Sequence, residues 1–391
     1  MNYRKPFVFA AACLGMLMFG VSLLSMGTLL PDIIARFQLD GLASGALVSI
    51  LPFGVLAGSL VFGPVVDRFG YKLLLALSAL VVIGGLELLA FAWNVGALRV
   101  AIFAIGFGGG VLNGGTNALV ADISVGERGA KLSLLGVFFG VGALGMPVLL
   151  GVMRGFAPAL VLAGIGAVLA LPVLWFAFIA FPVPKQAQGF PIAQGLGLVR
   201  DGTLVAIALT LALQSGIEGV VNNWSTTYLQ HARGIGAAPA LLALSAYVGG
   251  MTMARLVLAA VLRAAPGARV LVIGIACSLL GILVMALSAG AVGAAAGLAL
   301  VGAGLAAAFP LLMSFVADLY PAISGTAFSV VLVVALAGNM ALNYAMGALT
   351  ASYGVRALPA YLAACLAVQL GLLAVALRAY AARTRAAVRT A

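Results

Sequence analysis

Side chains able to do chemistry are scarce in this chain, which carries nine acidic residues, one histidine and three cysteines among 391 residues. Three polar groups stand out because they sit inside long apolar runs at helical spacing. They are Asn113 with Asn117; Gln214, Glu218, Asn222 and Ser225 with Trp224 and Tyr228 beside them; and Asn339 with Asn343. Residues three or four apart share one face of a helix. An amide offers a donor and an acceptor together, which matches a hydroxyl, and an aromatic face suits the C–H face of a sugar ring. No stripe of cations accompanies these groups, which argues against phosphates or dicarboxylates. The chemistry expected is therefore non-covalent recognition of a small, neutral, hydroxyl-rich solute. The competing reading makes the amides packing glue between helices, at about 0.6–2 kcal/mol each; three separate clusters favour binding.

Other chemistries have little to build on. Cys13, Cys277 and Cys365 are scattered singly, and His231 is the sole histidine, so no disulfide framework, metal site, His-based triad or cofactor is expected. Glu218 is the one carboxylate on the central stripe. A lone carboxylate in an apolar setting is costly when ionised, so Glu218 is the group to carry a proton if protons drive the cycle; sodium is the other candidate ion. Glu87 is expected to pair with Arg99 or to reach outward. The spacings Gly54/Gly58, Gly106/Gly110 and Gly136/Gly140 let helices approach closely. None is a dinucleotide loop, since each lies within an apolar run rather than after a soluble strand.

The elements that must hold these residues follow from composition. Only 7% of residues are charged and 64% are hydrophobic, with a mean hydropathy of +1.25. A surface with so few charges must face lipid. Apolar stretches long enough to cross a ~30 Å hydrocarbon core as helices run over 7–30, 43–65, 72–94, 98–122, 131–153, 158–182, 203–230, 238–262, 269–290, 292–317, 324–350 and 356–378. The first is too long for a signal-peptide core and stays as a span. The twelve spans place both termini on one side. That side holds Arg4, Lys5, Arg68, Lys72, Arg128, Lys131, Lys185, Arg200, Arg263, Arg269, Arg378, Arg383, Arg385 and Arg389, fourteen of the 20 basic residues. Five (Arg36, Arg99, Arg154, Arg233 and Arg356) lie opposite, and Arg255 falls within span eight. This asymmetry puts both termini in the cytoplasm, in a bacterial inner membrane. The net charge of +11 is then topology, and no nucleic-acid partner is expected.

The polar stretch between spans six and seven divides the chain into an N-terminal bundle, 1–182, a cytoplasmic linker, 183–202, and a C-terminal bundle, 203–391. The halves repeat: Arg68 precedes Asp122 by 54 positions, and Arg263 precedes Asp318 by 55. Two parallel six-helix repeats are a known transporter plan. The segment Gly63-Pro64-Val65-Val66-Asp67-Arg68-Phe69-Gly70-Tyr71-Lys72 resembles the loop signature of the major facilitator superfamily, with Tyr71 in place of its usual basic residue. The resemblance implies an all-α fold of twelve transmembrane helices in two pseudo-repeats. It also implies that Asp67, Arg68, Asp122, Arg263 and Asp318 gate the cytoplasmic side. Asp67 is expected at a helix N-terminus, where a carboxylate is stabilised by about 0.3–1 kcal/mol or more, and Arg68 is expected to reach Asp122.

Span seven, from Gln214 to Tyr228, is similar to the corresponding helix of the fucose/glucose/galactose symporter branch. So are the Gly-rich stretch ending at Asn117 and Gly250-Met251-Thr252-Met253-Ala254-Arg255. In this fold spans one, four and seven line the central cavity and span eleven flanks it, which implies that the three amide stripes converge. Two acids of that branch read Gly27 and Asn113 here, so Glu218 alone remains for coupling. Pro147 and Pro310 are expected to bend spans five and ten. Met146 interrupts the Gly-Pro motif of drug exporters, leaving proton-driven efflux of amphipathic compounds as the alternative to monosaccharide transport. A monomer is expected.

Overall fold

The computed structural model describes residues 3–39, 41–153, 156–185 and 197–390. Regular structure among them is helical throughout, as a lipid-facing chain requires, because a helix satisfies its own backbone N–H and C=O groups. The helices are α1 (Lys5–Phe37), α2 (Gly41–Phe69), α3 (Tyr71–Ala90), α4 (Val95–Ile123), α5 (Arg128–Val152), α6 (Pro158–Phe178), α7 (Gly202–His231), α8 (Ala237–Ala264), α9 (Gly267–Leu287), α10a (Ala291–Leu305), α10b (Ala308–Leu319), α11 (Ser324–Tyr353) and α12 (Leu358–Thr390). With α10a and α10b taken as one span, twelve segments are long and apolar enough to cross a bilayer. Their outer faces carry exposed Leu77, Leu80, Leu160, Leu171, Leu280 and Leu283, the pattern of a surface solvated by lipid. The side chains of Gly27, Pro147 and Arg263, and linker residues 186–196, lie outside the described set.

Two helix starts are capped by residues whose type demands it. Asn94 accepts the Ala97 N–H at 2.7 Å to open α4, and Asp201 accepts the Thr203 N–H at 3.0 Å to open α7. Span ten is interrupted outright at Ala306 and Ala307. Pro310 has no N–H to return to the Ala306 carbonyl, so the bend expected there becomes a break.

The chain forms two compact units. The first holds Met1–Val125, Leu135–Ala193 and Tyr320–Ser329; the second holds Gly126–Leu134, Gln194–Leu319 and Val330–Ala391. Each unit therefore includes a short piece from the other half of the sequence. In the first unit α4 packs on α1, α2 and α3, and α3 also packs on α6. Gly54 permits this closeness: a Cβ there would stand 2.6 Å from the Phe103 carbonyl oxygen of α4. Arg36 ties the end of α1 to the α3–α4 turn by donating to the Ala92 carbonyl at 2.7 Å. In the second unit α10a packs on α8 and α9, and α7 packs on α12 and α8. The pairs α2–α4 and α3–α4 thus recur as α8–α10a and α9–α10a, so the sequence repeat is also a packing repeat.

Candidate solute site and gate

The second unit gathers most of the polar side chains that the sequence singles out. Glu218 lies 16 residues from one end of α7 and 13 from the other, which is ~24 and ~20 Å along the axis. It is half-buried. Its carboxylate accepts a hydrogen bond from Gln214 Nε2 at 2.7 Å and feels the charge of Arg255 on α8. The second N–H of Gln214 goes to the Leu305 carbonyl at 2.9 Å. Its Oε1 accepts from Gln369 Nε2 at 2.7 Å. Gln214 and Gln369 are each 1% exposed, so this is a dry amide pair rather than a wetted surface. Tyr247 of α8, also 1% exposed, faces Glu218, Arg255 and Asn222. Asn222 is exposed and donates to the Glu218 carbonyl oxygen at 2.8 Å. Trp224 is half-buried and Tyr228 is buried.

Asn339 and Asn343 on α11 behave differently. Asn339 Nδ2 donates to the Ser215 carbonyl of α7 at 2.6 Å. Asn343 Nδ2 donates to Asn339 Oδ1 at 3.2 Å and its Oδ1 accepts from Asn223 at 2.9 Å. These amides form a ladder joining α7 to α11, made possible by Gly219, where a Cβ would stand 2.5 Å from Asn339 Nδ2. In the first unit Asn117 is 1% exposed and donates to the Asn113 carbonyl at 2.8 Å and to Asn113 Oδ1 at 3.1 Å. That bonding leaves Asn113, half-buried, as the outer member of the pair. Glu87 lies over Gly166 of α6, and no ion pair joins it to Arg99 among the described residues.

The residues expected to gate divide in the same way. Asp67, 1% exposed, meets the N-terminus of α11 as expected: its Oδ2 accepts from Thr326 N at 2.8 Å and from Thr326 Oγ1 at 2.7 Å. The expected partner of Asp122 is corrected. Lys185, just after α6, pairs with it at 2.7 Å, Ser324 donates to it at 2.8 Å, and Tyr71 bonds it as well. Arg68 instead lies over the Phe69 ring, 5.8 Å from its centroid. Successive helical residues diverge by about 100°, so a helix that aims Asp67 at α11 turns Arg68 aside. Burial and the Asp122 carboxylate together hold the Tyr3 phenol above its usual range. In the second unit Asp318 pairs with Arg128 and accepts from Tyr380 at 3.1 Å; the Arg263 partner that the repeat implied lies outside the described side chains.

Sequence reasoning passed over Gln369, Tyr247 and Lys185. Gln369 continues a stripe with Tyr361 and Cys365 at four-residue spacing, which was the one signal available. Lys185 lies in a linker without periodicity and gave none.

The chain matches the family model of the Major Facilitator Superfamily over residues 8–334. It belongs to that superfamily and is an integral membrane transporter rather than an enzyme. A 4-hydroxybenzoate transporter of Pseudomonas putida, PcaK, is 28% identical over 204 residues, covering 50% of this chain and 44% of that protein. The chain thus aligns with less than half the length of that curated relative. Among solved structures, the fold is similar to FucP in the outward conformation, with a TM-score of 0.80 at 20% identity, covering 96% of this chain and 99% of that one. It is also similar to the proton:xylose symporter XylE bound to 6-bromo-6-deoxy-D-glucose, with a TM-score of 0.76 at 14% identity over 93% and 94% of the two chains.

Proposed function

We propose that this transporter moves a small, neutral, hydroxyl-rich solute, a monosaccharide in the first instance, by alternating access, with a proton carried by Glu218. The observation that carries the reading is Glu218 itself: a carboxylate near the middle of α7, held by Gln214 and flanked by Arg255. An acid at that depth is a functional group by default, because a structural one would be replaced by an apolar residue at no loss. Asn222, Trp224 and Tyr228 beside it supply the hydroxyl partners and the aromatic face. The sugar-symporter neighbours of similar fold support the substrate class.

Glu218→Gln mimics the protonated acid and keeps a hydrogen-bonding group in place. In proteoliposomes the variant is expected to retain solute counterflow and to lose accumulation driven by a pH gradient. Accumulation at the wild-type rate would remove Glu218 from coupling. If the wild type ignores both pH and sodium gradients, the protein is a facilitator.

A second reading has one observation in its favour. Arg255, coupled to Glu218, could instead receive the carboxylate of an organic anion, the kind of solute named for PcaK. Thermal shifts separate the two, since a ligand at 100 times its Kd stabilises by about 2.7 kcal/mol. Sugars and polyols stabilise under the first reading, aromatic carboxylates under the second and amphipathic drugs under neither.

The protein is proposed to sit as a monomer in a bacterial inner membrane with both termini inside. Cysteines placed at exposed Val199 and exposed His231 of a cysteine-free background are expected to label from opposite faces, Val199→Cys only from the cytoplasm. Labelling of Val199→Cys from outside intact cells would invert the orientation.

A further inference from the structure

Gln214 holds two things at once. One N–H is on Glu218 at 2.7 Å, and the other is on the carbonyl of Leu305 at 2.9 Å. Leu305 is the last residue of α10a. Carbonyls at the end of a helix lack the donor one turn ahead, and Pro310 deprives this break of a further N–H. The Leu305 carbonyl, at this end of α10a, accepts from the Gln214 side chain. Gln214 is fixed in turn by Gln369, whose Nε2 reaches Gln214 Oε1 at 2.7 Å. Gln369 Oε1 is buried without a hydrogen-bond partner. It lines a small cavity with Thr210, Gly304, Leu305 and Ala307, on the side of the break.

We propose that Gln214 and Gln369 are positioning residues that tie the charge state of Glu218 to the break in α10. The inference rests on the coupling reading given above. When Glu218 is ionised, the Gln214 bond is charge-assisted and about twice as strong as a neutral one. Gln214 is then pinned, and with it the Leu305 carbonyl. When Glu218 takes a proton or turns to a solute, that pin weakens. Gln214 is free to rotate, and α10a and α10b can change their angle. The groups that face Glu218 from its neighbours are Arg255 and Tyr247 of α8. The charge proposed to switch is that of Glu218. The adjoining cavity gives Gln214 and Gln369 somewhere to move, and the unpartnered Gln369 Oε1 is ready to accept a donor on the rearranged side.

Hydrogen exchange of the full-length protein in nanodiscs reads this directly. In the wild type, exchange of residues 303–309, corrected for intrinsic pH dependence, should rise about fivefold as Glu218 protonates, the effect of freeing one hydrogen bond. Infrared absorption of the protonated carboxyl, assigned by its loss in Glu218→Gln, follows the titration in parallel. Gln214→Met should remove the pH response of 303–309 while the carboxyl band still titrates. Gln369→Met, which spares the donors of Gln214 but unfastens them, should reduce the response and gives a second variant if the first folds poorly. A full pH response in a folded Gln214 or Gln369 variant overturns the proposal. So does a titrating Glu218 with unchanged exchange at α10 in the wild type, and this outcome leaves the coupling reading standing. A Glu218 that never titrates overturns both.

Discussion

Asn222 and Asn339 carry the same amide in two settings, and the settings decide what each one does. The Nδ2 of Asn339 is committed to Ser215 on a neighbouring helix at 2.6 Å, whereas Asn222 is exposed, bonds the Glu218 carbonyl of its own helix and faces Tyr247 of α8. Asn339→Ala is expected to lower stability by about 1 kcal/mol, as interhelical amides in membranes do, with little change in solute affinity. Asn222→Ala should leave thermal stability unchanged and weaken binding about fivefold, the loss of one hydrogen bond to a hydroxyl. Thermal unfolding and a binding titration on both variants check this pair, and reversed results would exchange their roles. The sequence marked both as candidates because four-residue spacing reports a shared face and says nothing about what that face meets. Glu218 was legible for a different reason, since any acid in the middle of a span is conspicuous by its cost. Gln369 escaped because its stripe with Tyr361 and Cys365 holds no second amide or acid, and its partner Gln214 lies 155 positions away.

At the scale of elements, the contact between α2 and α11 shows a helix start capped from elsewhere in the chain. Asp67 satisfies the N–H and hydroxyl of Thr326 in the first turn of α11 at 2.8 and 2.7 Å, and its charge suits the positive end of the helix dipole. Losing such a cap costs about 0.5–2 kcal/mol. Asp67→Ala is therefore expected to speed amide exchange in residues 324–327 several-fold while the middle of α11 stays protected. Uniform loss of protection along the helix would mean that Asp67 holds the fold rather than the cap. The helix-end role of Asp67 was readable from the loop signature, and the twelve spans from apolar length alone. The break in α10 was only half readable. Pro310 announces a missing hydrogen bond, but whether a helix bends or parts depends on what receives the freed carbonyl. Beside the freed Ala306 carbonyl, that of Leu305 is received by Gln214, which no local rule could nominate.

At the scale of the whole molecule, both units are completed by a segment from the other half of the sequence, and ion pairs sit where those segments enter. Lys185 and Ser324 meet on Asp122 in the first unit, and Arg128 meets Asp318 in the second. The halves were legible from the repeat of Arg68–Asp122 and Arg263–Asp318 spacings, but the cations that pair with the acids were not, because both lie in or beside irregular connections. Under the alternating-access reading proposed above, these segments would leave their hosts in each cycle, and the ion pairs are proposed to set how often. Ser329 offers a probe of the first segment. It is 4% exposed and donates to the carbonyls of Ser59 and Leu60, the latter at 3.0 Å, so Ser329→Cys in a cysteine-free background should react slowly with a water-soluble maleimide. Lys185→Met removes the cation paired with Asp122, and the pair is only partly exposed, at 21% and 12%. Its loss should therefore exceed that of a surface bridge and fall short of a fully buried one. An increase of about fivefold in the labelling rate of Ser329→Cys is expected, with a further increase on adding Arg128→Met, since the two pairs share no partner. Should both variants lose thermal stability while the labelling rate stays at the wild-type value, each ion pair stabilises its own unit without gating.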